Sequence, residues 1–332
     1  MKRLVALVAV LVLAATACSS GSSDGSLTLY SGRSEDLVQP LIDAFTQETG
    51  ISVTVKYAGS TDLAVTILEE GDRSPADAFF AQDPASLGTV ALAGLFDQLP
   101  SDILDAVPSR FSDSDGRWVG TSGRARVVVY DSTLLDSSQL PATEDGFTDP
   151  QWSGKVGIAP TNGSFLAFVA AKILIDGEDA TSAWLEGMAA NNPQKYPKNS
   201  PIVAAINSGE IEAGLVNHYY LLRALAENPG EPGRNHFFGV PTAGSLVMPA
   251  GAGVLASSEN KEEANEFIAW LLNNDSQRYF ADETFEYPLV PGIPASDVLP
   301  PIDTIPTPDI DLSKLASVLD LATDLVARAG LL

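Results

Sequence analysis

Apolar positions recur along this chain with two periods, one of about two residues and one of about 3.6. The stretch from residue 35 to residue 49 shows the longer period, with Leu37, Leu41 and Phe45 on one helical face and Gly50 as a stop. Runs such as SVTVKY show the shorter period, which is typical of strands. Both kinds of segment are short and bounded by polar residues, as expected for a folded globular body.

The two patterns alternate to the end of the chain. Strands are predicted at LTLY, ISVTVKY, ADAFFA, RARVVVY, KVGIAP, EAGLVN, HFFGVP and AGAGVLA. Helices are predicted at residues 35–49 and at TDLAVTILEEG, PASLGTVALAG, SFLAFVAAKIL, TSAWLEGMAA, PIVAAINS, YYLLRALAEN, KEEANEFIAWLLNN and LSKLASVLDLATDLVARAG. Strands that alternate with helices predict an α/β fold.

The first residues form a targeting segment. Lys2 and Arg3 precede the apolar run LVALVAVLVLAA, which is short for a membrane span, and Cys18 follows shortly after. The arrangement resembles a bacterial lipoprotein signal peptide over residues 1–17, with Cys18 as the lipidated residue and 18–26 as a flexible tether. The protein is then expected at the outer face of the membrane, on the cell surface or in the periplasm. The alternative is a free thiol at Cys18.

Size and charge narrow the function classes. About 305 residues follow the tether, a length that suits two lobes. Hydrophobic content of 45% and a mean hydropathy of +0.09 are typical of a globular body. The formal net charge is −24, and it becomes −26 when Lys2 and Arg3 are removed. This acidity argues against nucleic acid as a partner, because phosphate backbones require basic surfaces.

Candidate functional residues follow the predicted strands. Arg33 comes after LTLY, Tyr130 ends RARVVVY, residues 161–164 follow KVGIAP, and Tyr219 and Tyr220 follow EAGLVN. In α/β sheets, ligands bind outside the carboxyl ends of strands, where helices begin. The sequence therefore predicts a cleft lined by these residues.

The adjacent tyrosines indicate a chemistry. A phenolate is a hard anionic oxygen ligand, and two on one centre suit ferric iron better than zinc, copper(I) or calcium. At a strand-to-helix junction, with Asn217 as a possible helix cap, Tyr219 and Tyr220 would diverge by about 100° and both lean into a cleft. The alternative is an aromatic pair that packs the start of a helix.

Seven motifs in order resemble the bacterial periplasmic ferric-binding proteins, the substrate-binding components of iron ABC importers: YSGR, GDRSPADAFFA, SGRARVVVY, PTNGSF, YPKNS, NSGEIEAGLVNHYY and EYPLVPG. The resemblance covers essentially the whole mature chain. It implies a type II periplasmic-binding-protein fold, in which two α/β lobes joined by two crossover strands enclose a ligand cleft. The lobes are then expected at residues 27–126 plus 246–300 and at residues 127–245 plus 301–332. Tyr219 and Tyr220 would be ferric ligands on the second lobe.

The first lobe departs from the family pattern. Members that use a histidine and a glutamate there carry them where this chain has Ser34 and Gln82, neither a good ferric ligand. Another branch uses three tyrosines, and Tyr130 matches its additional tyrosine at the end of an RVxVY strand. The resemblance thus implies Fe(III) on Tyr130, Tyr219 and Tyr220, with carbonate or another small anion.

The anion requires a cation or backbone amides. Arg33 is the first candidate, because a guanidinium binds an anion through two donors; Arg124 and Arg126 are candidates of lower weight. Residues expected at the anion from family members that bind phosphate are Asn162, Gly163, Ser164, Asn199 and Asn217. The alternatives are an ion pair of Arg33 with Glu35 or Asp36, and a simple turn and helix cap at residues 162–164.

The predicted function is that of a non-enzymatic carrier, which binds Fe(III) and delivers it to a membrane permease and its ATPase. The expected form is a lipid-anchored monomer. Within the same fold, the alternative is a binding protein for another anion, such as a phosphonate or an organophosphate. A secreted hydrolase is disfavoured because the sequence has no GxSxG or HExxH motif and only two histidines, and a ligand-free adhesion or sensing lipoprotein would have no cleft chemistry.

Overall fold

The computed structural model describes residues 25–332. Within that range it contains ten strands: β1 Ser26–Ser31, β2 Ser52–Tyr57, β3 Ala78–Ala81, β4 Val119–Asp131, β5 Val156–Ile158, β6 Gln194–Lys195, β7 Ala213–Asn217, β8 Gly233–His236, β9 Val247–Val254 and β10 Tyr287–Pro288. The predicted signal peptide, Cys18 and nearly all of the predicted tether lie outside the described residues. The tether was predicted to reach residue 26, but Ser26 already pairs with Ser52 as the first residue of β1.

The helices of residues 25–332 are α1 Glu35–Thr49, α2 Ser60–Glu70, α3 Pro84–Leu92, α4 Ser101–Leu104, α5 Gly163–Asp176, α6 Glu178–Ala190, α7 Asn199–Asn207, α8 Tyr219–Glu227, α9 Lys261–Leu271, α10 Asn274–Asp282 and α11 Leu319–Arg328. Helix α1 has the predicted bounds because its apolar face is continuous and Gly50 adopts the left-handed conformation (φ 79°) that ends a helix. None of the helices in this range is long and apolar enough to cross a membrane.

Strand β4 connects the two lobes. Its first half, up to Ala125, pairs antiparallel with β9, whereas its second half, from Arg126, pairs antiparallel with β7. One side of this junction is a sheet in the order β2-β1-β3-β9-β4, and the other side continues as β4-β7-β5-β6; β10 and β8 also pair with β4. The chain returns through β9, which begins at Val247. The predicted two-lobed α/β fold is therefore confirmed, with β4 as the strand that takes part in the sheets of both lobes.

The C-terminal segment contacts both lobes. Its first turn, Leu312–Val318, is a 3-10 helix that packs against α3 of the first lobe and α5 of the second, and α11 then packs against α5. The buried side chains of Leu312 and Leu315 belong to a hydrophobic cluster that includes residues of both α3 and α5. The tail, predicted as one helix, is thus two, and its 3-10 part joins the lobes.

Two further local predictions were wrong. The segment HFFGVP was predicted as a strand, but β8 ends at His236 and the residues after it turn away from the sheet. Asn217 was a possible helix cap, yet it is the last residue of β7, and the N-cap of α8 is His218. Both errors concern the ends of strands, β8 at His236 and β7 at Asn217. Where a strand ends depends on its pairing with neighbouring strands, which is set by non-local contacts.

Candidate functional site

A cavity of about 420 Å³ lies between the two lobes. The first lobe contributes the start of α1 and the loops after β2 and β3, and the second contributes the starts of α5, α7 and α8. The lining residues are Gly32, Arg33, Ser34, Glu35, Asp36, Tyr57, Ala58, Gly59, Gln82, Asn162, Lys198, Ser200 and Tyr220. Several helix N-termini therefore converge on one cavity, and their free N–H groups favour an anion there.

The tyrosine pair stands at the junction of β7 and α8. The rings of Tyr219 and Tyr220 stack, with centroids 4.2 Å apart and planes inclined by 28°. This stacking differs from the divergent arrangement predicted for the start of a helix. Tyr219 is 1% exposed, while Tyr220 is half-buried and lines the cavity. The junction thus places a buried and an accessible phenol side by side.

The electrostatics of Tyr219 oppose ionisation in the free protein. Burial raises the pKa of Tyr219 well above its ordinary value, the neighbouring Tyr220 raises it further, and the positive charges of Arg33 and Arg124 act in the opposite direction. A trivalent cation at this position would supply the positive charge that the free protein lacks. The phenol of Tyr219 is therefore neutral in the free protein, and a bound metal ion would favour its loss of a proton.

His218 holds the junction in place. Its Nδ1 accepts a hydrogen bond from the backbone N–H of Ala125 at 3.1 Å, and its Nε2 lies 2.7 Å from the carbonyl oxygen of Phe285, to which it donates. Burial lowers the pKa of His218 to about 4, so the ring is neutral at physiological pH. The role of His218 is structural: it ties the start of α8 to β4 and to the segment before β10.

The structure does not bring Tyr130 to the tyrosine pair. In the antiparallel register of β4 and β7, Arg126 lies opposite Asn217, and Tyr130 lies opposite Ala213, at the other end of β7. Four residues of strand separate these positions by about 13 Å, and Tyr219 lies two residues further on. Tyr130 packs instead against a hydrophobic cluster that contains residues of both lobes. Sequence reasoning placed it at the end of a strand correctly, but that end faces away from the cleft.

The predicted anion-binding residues of the second lobe come together. Asn162 caps α5: its Oδ1 accepts from the backbone N–H of Ser164 at 3.1 Å and from the Ser164 hydroxyl at 2.6 Å. The buried Asn199, first residue of α7, directs its Nδ2 to the same two side chains at 3.4–3.5 Å. The turn-and-cap alternative is therefore correct as local structure, and it places the N-termini of α5 and α7 at the cavity.

Gly163 marks a close approach between the lobes. A Cβ atom at this position would lie 3.1 Å from Asp83 Oδ2, 3.2 Å from Gln82 Nε2 and 3.3 Å from Thr61 Oγ1, all in the first lobe. These distances are tighter than ordinary van der Waals contact. The absence of a side chain at Gly163 thus allows the lobes to meet beside the cavity.

Arg33 is paired differently from the prediction. Its Nη2 donates to Glu286 Oε2 at 2.6 Å, and both side chains are buried, with 1% and 0% exposure. The alternative partners Glu35 and Asp36 do not bind it; Asp36 accepts instead from Arg223 of α8 at 2.7 Å, across the cleft. Glu286 was missed because it lies 253 residues away, and only its place in the EYPLVPG motif marked the segment.

Arg124 and Arg126 of β4, the lower-weight candidates for binding the anion, are both buried. Arg124 is 1% exposed, and none of its three side-chain nitrogens has a hydrogen-bond partner among residues 25–332. Arg126 is also buried; its Nη1 donates to Asn217 Oδ1 at 3.4 Å, and its guanidinium lies 5.0 Å from the ring centre of Phe168. An unpaired buried guanidinium is costly, which indicates a missing anionic partner. Asn217 Nδ2, likewise buried, lacks a partner in the same described range.

The first-lobe positions Ser34 and Gln82 carry no metal-binding chemistry. Ser34 is the exposed N-cap of α1, and Gln82 lines the cavity as a neutral amide. Across residues 25–332 there is no group of three or more His, Cys, Asp or Glu side chains that could hold a metal ion. The anionic or phenolic oxygens that line the cavity belong to Glu35, Asp36, Tyr57 and Tyr220.

A two-lobed fold with a polar cavity between the lobes defines an extracytoplasmic solute-binding protein, and residues 73–311 match the family model of bacterial extracellular solute-binding proteins. The major ferric iron-binding protein of Neisseria meningitidis is 36% identical over 97% of this chain and 98% of its own length. Iron-bound HitA of Pseudomonas aeruginosa is 33% identical, with a TM-score of 0.88 over 92% of this chain and 99% of that one. A Trichodesmium protein (IdiA, FutA), solved with iron and citrate, is 29% identical, with a TM-score of 0.79 over 93% and 100% of the two chains.

Within the extracellular solute-binding proteins, this chain belongs to the ferric iron-binding protein family. The resemblance inferred from the seven motifs is confirmed.

Proposed function

We propose that this protein binds Fe(III) through the phenolates of Tyr219 and Tyr220, together with a small anion. The observation that carries the proposal is the stacked tyrosine pair at the start of α8, near the cavity and near Arg124, a buried arginine whose side chain has no hydrogen-bond partner in residues 25–332. Phenolates are hard donors, and iron in the ferric state is a hard, highly charged acceptor. Tyr130 is left out of the ligand set because of its position in the β4–β7 register.

The anion site is proposed between the two lobes. Arg124 supplies an unpaired guanidinium, Arg33 a second one beside the tyrosines, and Asn217 a free amide group. The N-termini of α5 and α7, with Asn162 and Asn199, add backbone and side-chain donors on the other wall. Carbonate or another small anion that also ligates the metal would satisfy these groups and fill the coordination positions that two phenolates leave open.

The role proposed for this complex is transport. The protein, anchored by a lipid on Cys18, captures iron outside the membrane, and the closed form docks as a monomer on an ABC permease that is driven by its ATPase. Contacts between lobes at Gly163 and between Asp36 and Arg223 would hold the closed form. The protein supplies ligands and shape, with no catalytic step.

A second candidate is the binding of an anion without metal, such as a phosphonate. The unpaired Arg124 supports it, because any phosphate-like group would satisfy that guanidinium. In that case the tyrosines would serve only as aromatic walls. The tyrosine pair favours iron. If the two rings were only walls for an anion, a simpler aromatic residue would serve as well as the buried Tyr219, and its hydroxyl would have no use.

The test is a visible absorbance titration of the purified protein with ferric salt, with and without bicarbonate. Tyrosinate-to-iron charge transfer should produce a coloured complex at one iron per protein, stronger with bicarbonate. If the protein binds an anion without metal, ferric salt should produce no visible absorbance band, and titration with a phosphonate should produce a heat of binding. A protein that stays colourless under both conditions would rule out the ferric assignment.

A further inference from the structure

The buried ion pair between Arg33 and Glu286 is unusual in its geometry. One contact joins the two side chains, Nη2 to Oε2 at 2.6 Å, and the hydroxyl of Thr284 donates to the same oxygen at 3.0 Å. Arg33 Nε and Glu286 Oε1 are both buried and have no hydrogen-bond partner within residues 25–332. A forked pair would satisfy all of these atoms. The single contact leaves the pair poorly explained as a stabilising element, since buried pairs need full hydrogen bonding to offset desolvation.

The position of Glu286 gives it an electrostatic role. The negative charge of Glu286 raises the pKa of Tyr219, as Tyr220 does, whereas Arg33 and Arg124 lower it. Glu286 is 0% exposed, so water screens its charge little, whereas the charges of Glu35 and Asp36 at the cavity edge are exposed and screened. Glu286 therefore contributes to the charge that a bound anion meets.

The other buried ionisable groups near Arg124 balance one another. Burial raises the pKa of Asp83, but the two hydrogen bonds that it accepts from Ser86 and the nearby Arg124 favour its charged form, and Arg126 carries the opposite charge. Burial and the neighbouring Arg124 lower the pKa of Arg126 to about 9, so it remains charged at neutral pH. His218 is neutral. The unbalanced set is thus Arg33, Arg124, Glu286 and the two tyrosines.

The charge of the loaded site follows from this set. With Fe(III) bound, the two phenolates and Glu286 supply three negative charges, while the metal, Arg33 and Arg124 supply five positive ones. Two positive charges remain, which a dianion neutralises and a trianion exceeds. Uncompensated charge in a buried site is strongly disfavoured.

We propose that Glu286 is a specificity-determining residue, which sets the charge of the accompanying anion and favours a dianion over a trianion in the ferric complex. This inference rests on the proposed function. Without the carboxylate the site would carry three positive charges, and the balance would shift toward trianions. The pairing of Glu286 with Arg33 then serves to hold one negative charge next to the metal without making it a ligand.

The experiment compares oxalate, with two negative charges, and citrate, with three, at pH 7.5 on the mature chain. Apparent iron affinity is measured with each anion by competition against a ferric chelator, and the ratio of citrate-supported to oxalate-supported affinity is the readout. Glu286→Gln should raise this ratio roughly tenfold, the size expected for one charge in a partly buried site. Arg33→Gln should lower it, and the double variant, which removes both charges, should return to within about threefold of the wild type.

A matched control separates charge selection from loss of a buried ion pair. Glu144 is also 0% exposed and is paired with Lys172 at 3.3 Å in the second lobe. Glu144→Gln should lower the unfolding temperature yet leave the anion ratio unchanged. If Glu286→Gln does not fold, the double variant and Arg33→Gln still test the sign of the effect.

The outcomes are separable from those of the proposed function. A wild type that forms no coloured complex with either anion would remove the ferric assignment itself. A wild type that binds iron with both anions, and a Glu286→Gln ratio that equals the wild-type ratio, would overturn the role of Glu286 alone. Equal shifts in Glu286→Gln and Glu144→Gln would also overturn it, since the effect would then be one of general destabilisation.

Discussion

The two walls of the cavity differ in kind. The wall of the second lobe carries the phenols of Tyr219 and Tyr220 and the polar cluster of Asn162 and Asn199, all at helix N-termini. On the first-lobe wall stand Ser34 and Gln82, which are neutral, and Arg33, which is held by Glu286. The second lobe thus supplies candidate metal ligands, while the first supplies charge and closure.

This division suggests an order of events. Ligands that all lie on one lobe can take up the metal while the cleft is open, because no ligand has to arrive from the other side. Closure would then add Arg33 and exclude water, which strengthens the electrostatic interactions in the site. A site with ligands divided between lobes would instead need closure before full coordination.

The largest effect is expected from the phenols. Tyr219→Phe and Tyr220→Phe each remove one anionic ligand and keep the ring, so iron affinity should fall by more than about 100-fold while the fold survives. Visible absorbance and far-UV circular dichroism test the two parts of this prediction. Wild-type colour in the double variant would contradict the division between the walls.

The next effect concerns pH. Because burial raises the pKa of Tyr219, this phenol holds its proton in the free protein, and iron must displace it. The affinity for iron should fall with decreasing pH, by up to about 100-fold per pH unit if iron binding releases two protons. Chelator competition between pH 8 and about 6 measures the slope. An affinity that does not change with pH would mean that no phenol ionises on binding.

A smaller effect is expected from the ion pair between the lobes. Asp36 and Arg223 are partly exposed, and such pairs contribute about 0.2–1 kcal/mol. Arg223→Ala should therefore speed iron release to a chelator by about two- to fivefold without changing the colour. Lys261→Ala is the control, since Lys261 makes an equally short pair with Asp97 inside the first lobe. Similar release rates in the two variants would assign no closing role to the Asp36–Arg223 pair.

The smallest effect is expected at Tyr130. Tyr130→Phe should leave iron affinity within about twofold of the wild type, because the β4–β7 register places this ring at the far end of β7. The variant matches Tyr219→Phe in chemistry and differs from it only in position. A loss as large as that of Tyr219→Phe would return Tyr130 to the ligand set and require a register other than the one observed.

Local patterns predicted most of the elements, and non-local pairing explains the errors. Helix α1 was predicted within its observed bounds because its apolar face and Gly50 are local signals. The tyrosine junction was likewise predicted from the end of β7 and the start of α8. The error at Tyr130 arose because the sequence shows that a strand ends there, but not that β4 runs antiparallel to β7.

The partners of the arginines were beyond local reasoning. Arg33 is bound by a residue 253 positions away, and no spacing rule links them. The burial of Arg124 could have been suspected, because Arg124 and Arg126 stand at alternate positions next to the apolar run Val127–Val129 and so share one face of the strand. This pattern, two arginines on one face of a buried strand, is the sequence signal that could have predicted the buried arginines.

The most direct test of the central claim is a crystal structure of the ferric complex with bicarbonate. The account predicts one iron bound by the phenolate oxygens of Tyr219 and Tyr220, with the anion between the metal and the guanidinium groups of Arg33 and Arg124. Ser34, Gln82 and Tyr130 should make no bond to it. Iron held by Gln82 or Tyr130, with the tyrosine pair turned away, would contradict the claim that the second lobe supplies the ligands from α8.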